Sequence, residues 1–282
     1  MSTGELEHVH THTVVIEPPR GWSRLGLGEL WQHRDLLYFL TGRDIKVRYA
    51  QASMGVAWAV LQPVLMMVIF TIFLGRLAKV PSDGLPYPVF ALSGLVPWTY
   101  FANGVTSATE SLTANANVVS KVYFPRLLVP FAALLSWLPD LAIASVLLVV
   151  LMLIYGIVPA ATCVLLPAFA LFAVLAAASV GTWLSALNVS YRDVRYAVPF
   201  VIQLWLFATP VVYPASLVPE RWRVLYGLNP MAGVVEGFRW ALFGGGSPMW
   251  DLICVSFAVT LALFVGGLFW FRRVEHRFSD VI

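Results

Sequence analysis

Charge is scarce in this chain of 282 residues: Asp, Glu, Lys and Arg together make up 12% of it, about half the share of an ordinary soluble domain. That shortage excludes a water-solvated globule. Lysine is rarer still, with Lys46, Lys79 and Lys121 alone, and none of them follows glycine. The phosphate-cradling G-x-x-x-x-G-K-[ST] loop is therefore missing, which rules out P-loop ATP hydrolysis by the chain itself. The G-x-S-x-G elbow of serine hydrolases and the H-E-x-x-H zinc motif are missing too. Cysteine is limited to Cys163 and Cys254, both inside apolar runs, so neither a disulfide framework nor a thiolate metal site is indicated. A formal net charge of +3, not clustered, excludes a nucleic-acid footprint. His8, His10 and His12 lie in a polar tail without a fourth ligand, which reads as solvated tail and not as a metal site. The first twenty residues hold no apolar core after a basic start, so no cleavable signal is expected and the N-terminus is expected in the cytoplasm. No internal repeat is visible, which leaves an inverted-repeat carrier without support.

What the chain has in plenty is apolar sequence: 59% is hydrophobic and the mean hydropathy is +0.79. A charge at the centre of a membrane helix costs about 2.5–3.5 kcal/mol on insertion scales, so uncharged stretches of about 20 residues mark spans. Tyr49–Gly75 and Gly84–Thr109 are two such stretches. Leu141–Tyr191 holds two more, turning at Gly156 and Pro159, the first of them starting near Leu134. Tyr196–Pro219 and Leu252–Phe271 complete six. With both termini cytoplasmic, thirteen of the eighteen basic residues fall inside, as the positive-inside rule requires. Trp98, Trp183, Trp250 and Trp270 stand near expected span ends, where indole rings favour headgroup depth.

Three segments are too polar or too short to span. Residues 25–50 mix Leu, Trp and Phe with charge, which suits an amphipathic helix in the inner interface. Its basic end, Arg43, Lys46 and Arg48, is either a topology signal or a contact for lipid phosphate. In Ser111–Pro130, residues Val118, Val119, Val122 and Tyr123 share one side of a short helix that Pro125 ends. That side has to rest on the membrane or on another protein. Between spans five and six, Asn229-Pro230 reads as a helix start and Gly244-Gly245-Gly246 as its stop. Met231, Val234, Val235, Phe238 and Leu242 recur at three-and-four spacing between them, and Pro219–Gly227 forms a second short helix upstream. Both are expected at the outer membrane face. Glu236 and Arg239 stand three apart, set either to pair as a strut or to meet a passing substrate.

Polar faces inside spans are the remaining signal. Gln51, Trp58, Gln62 and Phe73 fall near one face of span one; Tyr196, Phe200, Gln203 and Phe207 share one face of span five. Amides interleaved with aromatics suit a carbohydrate path, whereas an ion path would carry rows of carboxylate or histidine. Interhelical hydrogen bonding is the alternative use of such glutamines. Glu110 and Asp140 are the acids nearest the membrane interior, with Arg126 or Lys121 as candidate partners.

Leu-Thr-Gly-Arg-Asp-Ile-Lys-Val-Arg-Tyr with Ser-Met-Gly-Val-Ala-Trp and Gln-Pro (40–63), Val-Tyr-Phe-Pro-Arg (122–126), Tyr-Arg-Asp-Val (191–194), Thr-Pro-Val-Val-Tyr (209–213) and Asn-Pro-Met…Glu-Gly-Phe-Arg (229–239) stand in order around six spans. In this the chain resembles the permease subunits of type-2 ABC exporters for polysaccharides, from about Leu30 to Phe278. The resemblance implies a homodimer carrying two separate ATPase subunits on the cytoplasmic side, with ATP and magnesium held there and no cofactor in this chain. By the same resemblance 112–125 is the coupling helix for the ATPase, 219–243 holds the outer gate helices, and spans one and five border the channel. The usual cargo of such permeases, a glycan on polyprenyl pyrophosphate, makes Arg43, Lys46 and Arg48 candidate pyrophosphate contacts.

The expectation is an all-α integral membrane permease of the plasma membrane. Residues 1–24 form a cytoplasmic tail, 25–50 an interfacial helix and 51–282 a six-span domain. It is no enzyme itself, and its partners are the ATPase, a second copy, a lipid-linked polysaccharide and membrane lipid, not nucleic acid. Rival readings are an ABC exporter of a drug or small lipid, with a more aliphatic conduit, and a membrane enzyme acting on lipid-linked sugars.

Overall fold

A computed structural model of the chain describes residues 27–50, 57–121, 124–245 and 247–275. Every regular element among them is helical. In chain order these are α1 (Leu27–Gln32), α2 (Arg34–Ala50), α3 (Ala57–Phe70, continued by a π-helical turn Thr71–Leu77), α4 (Tyr87–Ala114), α5 (Ala116–Lys121), α6 (Leu128–Leu135) and α7 (Leu138–Ile154). They are followed by α8 (Leu166–Ser190, preceded by a 3-10 turn Ala161–Leu165), α9 (Val194–Ala208), a 3-10 turn Ala215–Leu217, α10 (Glu220–Tyr226), α11 (Pro230–Phe243) and α12 (Trp250–Glu275).

Four helical stretches are long and apolar enough to cross a membrane: Ala57–Leu77, Leu128–Ile154, Ala161–Ser190 and Trp250–Glu275. They match the first, third, fourth and sixth expected spans. The second and fifth correspond to α4 and α9. α4 has 28 residues, ample length, but Ser93, Thr99, Asn103, Thr106, Ser107, Thr109 and Glu110 make it polar. It lies among α3, α6, α7, α8, α9 and α11, so most of its surface meets protein. α9 has 15 residues, about 22 Å of helix at 1.5 Å per residue, short of the roughly 30 Å hydrocarbon core.

Small residues explain the closest helix pair. α8 offers Ala173, Ala176, Ala177, Gly181 and Ser185 to α4, all fully buried or nearly so. A Cβ on Gly181 would stand 3.0 Å from that of Ala108. In a bilayer, where lipid tails are as apolar as leucine, such close backbone approach is what drives association.

Proline shapes the third stretch. α6 stops at Leu135 and α7 starts at Leu138, with Pro139 unable to donate a backbone hydrogen bond. The interruption leaves the Ser136 carbonyl accepting from a side chain instead, described below.

Two cytoplasm-assigned segments differ from expectation. Where the sequence predicts one helix over 25–50, the described part forms two, α1 and α2, separated at His33. α2 packs on α6 through Leu40 and leaves Tyr38, Phe39 and Val47 exposed. The predicted helix over 112–125 divides between the end of α4 and the six-residue α5. Within α5, Val119 is 4% exposed and belongs to a core with Leu112, Phe124, Leu127 and Phe271, while Val118 is 38% exposed. They do not share a face; Val122 and Tyr123 lie outside the described residues.

α11 starts as predicted: the Asn229 side chain accepts from the Met231 amide at 3.0 Å, Pro230 follows, and Gly244 ends the helix at φ 64°. It is enclosed by α4, α8 and α12, and residues on all its sides are buried, Ala232, Gly233, Gly237 and Ala241 besides the predicted apolar stripe. Glycines permit this. A Cβ on Gly237 would fall 2.0 Å from the Phe169 ring, and one on Gly233 2.6 Å from Ser256. Trp98, expected at headgroup depth, is buried against Phe101.

Candidate functional site

Two regions gather the chemistry-bearing side chains. The first is where the last turn of α2 meets the break between α6 and α7. Arg48 bridges to Asp140 at 3.0 Å. It also donates to the Ser136 carbonyl at 2.9 Å and the Ser136 hydroxyl at 2.6 Å. Its guanidinium lies 3.5 Å from the centre of the Trp137 ring, a cation–π contact. Asp140 is thus partnered by Arg48 and not by Arg126 or Lys121. Arg126 instead meets Glu275, its Nη1 donating to the Glu275 carbonyl at 2.9 Å. Fully ligated in this way, Arg48 has its charge balanced and its donors largely committed.

Beside this pair opens a cavity of about 190 Å³ lined by α2, α3, α4 and α7. Trp58 and Gln62, assigned to a lining face from sequence, are in its wall. So are Tyr49, Thr99, Tyr100, Asn103 and Trp137, which the sequence analysis did not single out as site residues. A signal for α4 was present: Thr99, Asn103, Thr106 and Glu110 recur at spacings of four, three and four, a polar helical stripe. The Tyr49 hydroxyl is buried beside the Asp140 carboxylate.

Of the other predicted basic contacts, Arg43 pairs with Asp44 at 2.8 Å and donates to Asn115 Oδ1 at 2.8 Å. Lys46 is exposed. Arg43, Lys46 and Arg48 therefore do not form one cationic cluster.

The second region is the outward surface of α9. Tyr196, Phe200 and Phe207 are 68%, 63% and 55% exposed, and Gln203 is exposed among them. The opposite side of the helix, Val198, Ile202 and Leu206, is buried. Phe73, at 58% exposure, lies in the π-helical turn after α3. Gln51 lies outside the described residues.

Arg239 has a different role from its predicted pairing. It is buried in α11, and its guanidinium donates to the carbonyls of Pro210 at 2.5 Å, Val211 at 2.6 Å and Phe90 at 3.3 Å, and to the Ser93 hydroxyl. It also covers the Phe90 ring at 3.8 Å. Glu236 makes no hydrogen bond or ion pair among the described residues. The guanidinium ties the end of α9 and the start of α4 to α11, and Asn229 adds bonds from its amide to the Thr209 hydroxyl and from Trp205 to its Oδ1.

Apolar crossing helices around a sheltered polar one, an amphipathic entry helix and an uncovered aromatic-amide face define a multi-span membrane protein of transporter type. Residues 35–243 match the model of the ABC-2 type transporter family, and the chain belongs to that family. It is 30% identical over 250 residues to an O-antigen export system permease protein RfbA of Klebsiella pneumoniae, covering 88% of this chain and 95% of that protein. The RfbA of Myxococcus xanthus is also 30% identical, over 255 residues, 88% of this chain and 96% of the relative. The polysialic acid transport protein KpsM of Escherichia coli is 21% identical over 235 residues, 83% and 91% of the two chains. These names agree with the resemblance read from the motifs.

Proposed function

We propose that this chain is the membrane permease of an exporter that moves a polysaccharide linked to polyprenyl pyrophosphate out across the plasma membrane, driven by ATP. The observation that carries this reading is likeness over 88% of the chain to permeases named for O-antigen export. ATP and magnesium are held by two copies of a separate ATPase subunit, since the chain has no phosphate-binding loop of its own. In this reading α4 and α9 are the second and fifth of six spans, and both termini are cytoplasmic. α4 tolerates its polarity because neighbouring helices shelter it. α9 crosses by sharing its depth with the 209–214 segment that follows.

Two copies face one another across α3 and α9. The exposed Tyr196, Phe200, Gln203 and Phe207 supply ring faces for sugar C–H groups and an amide for hydroxyls, which a purely aliphatic conduit for a drug or small lipid lacks. The ATPase docks at α5 through Val118 and Lys121. Lys46, exposed at the end of α2 and near lipid headgroups, contacts the pyrophosphate with Arg43. α10 and α11 form the outer gate, Arg239 holding it shut against α4.

The test is a Phe200→Ala, Phe207→Ala double variant in cells that depend on this protein for surface glycan. Surface glycan is expected to fall while the ATPase still co-purifies. Undiminished surface glycan would remove α9 from the conduit.

A further inference from the structure

We propose that the cavity between α2, α3, α4 and α7 is a subsite for a single neutral sugar ring. The inference rests on the reading of the protein as a glycan permease and names the part of the cargo that this pocket takes.

Charge decides against an anion. The one cation among the described residues of the wall, Arg48, is neutralised by Asp140 at 3.0 Å and further held by both oxygens of Ser136. A phosphate entering here would have to displace a carboxylate in the partly buried pair. Unpaired polar groups decide against a lipid tail. Gln62, Thr99 and Asn103 make no side-chain hydrogen bond among the described residues, while the buried Tyr49 hydroxyl faces the Asp140 carboxylate. An acyl chain would leave Thr99 and Asn103 unsatisfied, at a cost of roughly 1–3 kcal/mol for each group buried that way. A sugar offers each of them a hydroxyl, while the second oxygen of Asp140 accepts another. Rings complete the fit: Trp58 is half exposed, and Tyr100 and Trp137 stand in the wall. The volume, about 190 Å³, is below the roughly 300–1,000 Å³ of pockets for drug-sized ligands, so it holds one ring and not a chain segment. Neither the exposed α9 face nor the basic residues of α2 have this combination.

The experiment is saturation-transfer NMR on the full-length protein in polymer-bounded lipid discs, free of sugar-based detergent, with the methyl pyranosides of glucose, galactose, mannose and N-acetylglucosamine as probes. Transfer is expected to at least one pyranoside, with epimers differing. Asn103→Leu and Gln62→Leu should each reduce it at least five-fold, and inorganic pyrophosphate should not displace it. Gln62 is exposed, so its variant reports on binding even if Asn103→Leu fails to fold. No transfer to any pyranoside, transfer unchanged in folded variants, or displacement by pyrophosphate would each overturn the subsite. Glycan export measured on the same variants separates the two readings. Absent sugar binding with an intact dependence of export on the protein sinks the subsite alone, whereas sugar binding in a protein whose loss leaves export untouched sinks the permease reading.

Discussion

Replacing Arg239 with methionine keeps most of the side-chain volume and removes the guanidinium donors that join α11 to α4 and to the residues after α9, leaving the Asn229 bonds in place. The two short bonds, to the carbonyls of Pro210 and Val211, are charge-assisted, and each such bond contributes about 1.5–3 kcal/mol. Those carbonyls stay buried in the variant and find no replacement. Against this, the desolvation cost of the guanidinium disappears. Burial already pulls its pKa down to about 10, so the residue is a cation at neutral pH, and the relief offsets part of the loss. Leaving two buried carbonyls without a donor costs about 1–3 kcal/mol each, a large share of the roughly 5–15 kcal/mol that holds a typical protein folded. Unfolding by SDS titration in mixed micelles, followed by tryptophan fluorescence, should show that loss in Arg239→Met. Arg239→Lys, able to serve one or two carbonyls, should recover about half. A methionine variant within about 1 kcal/mol of the native protein would refute the assignment of Arg239 as the tie.

Gly237→Ala should destabilise strongly, because its Cβ would lie 2.0 Å from the Phe169 ring; adding Phe169→Leu should restore most of the melting temperature, and failure of that rescue would remove the clash as the cause. Glu236 is held above the usual carboxylate range, chiefly by burial and against the pull of Arg239. A raised folded-state pKa penalises the fold at pH values above the unfolded-state pKa, so Glu236→Gln should stabilise at neutral pH and lose that gain below the ordinary Glu range; a stabilisation independent of pH would contradict this. Val119→Asp buries a charge in the core formed with Leu112 and Phe271 and should lower yield and melting temperature, whereas Val118→Asp, on the open side of α5, should leave the fold intact and weaken co-purification of the ATPase. Equal behaviour of the two variants would deny α5 its two faces.

The span positions were legible because a lipid-exposed helix must be apolar over about 20 residues, and that rule works on local sequence. The lack of charge up to Glu110 marked α4 as well, but that neighbours surround it is a property of packing that no window of sequence contains. The Asn229-Pro230 start and Gly244 stop of α11 were legible as local hydrogen-bond chemistry. Its full enclosure was not, because it depends on Gly233 and Gly237 meeting Ser256 and Phe169 from distant parts of the chain. Trp58 and Gln62 were singled out as parts of one polar, aromatic face and Arg48 as a basic contact for phosphate. That they border one cavity follows from Asp140 claiming Arg48 across 92 positions of sequence, at a break that Pro139 makes locally but that only tertiary contact turns into a binding surface. The polar stripe of α4 could have been read at helical spacing and marks one wall of that cavity.

The measurement that bears most directly on the permease reading is depletion of this protein followed by extraction of lipid-linked glycans from total membranes and from the cell surface. Full-length lipid-linked chains should accumulate inside while the surface pool falls away. Truncated or missing chains inside, or a surface pool that depletion leaves unchanged, would contradict export by this protein.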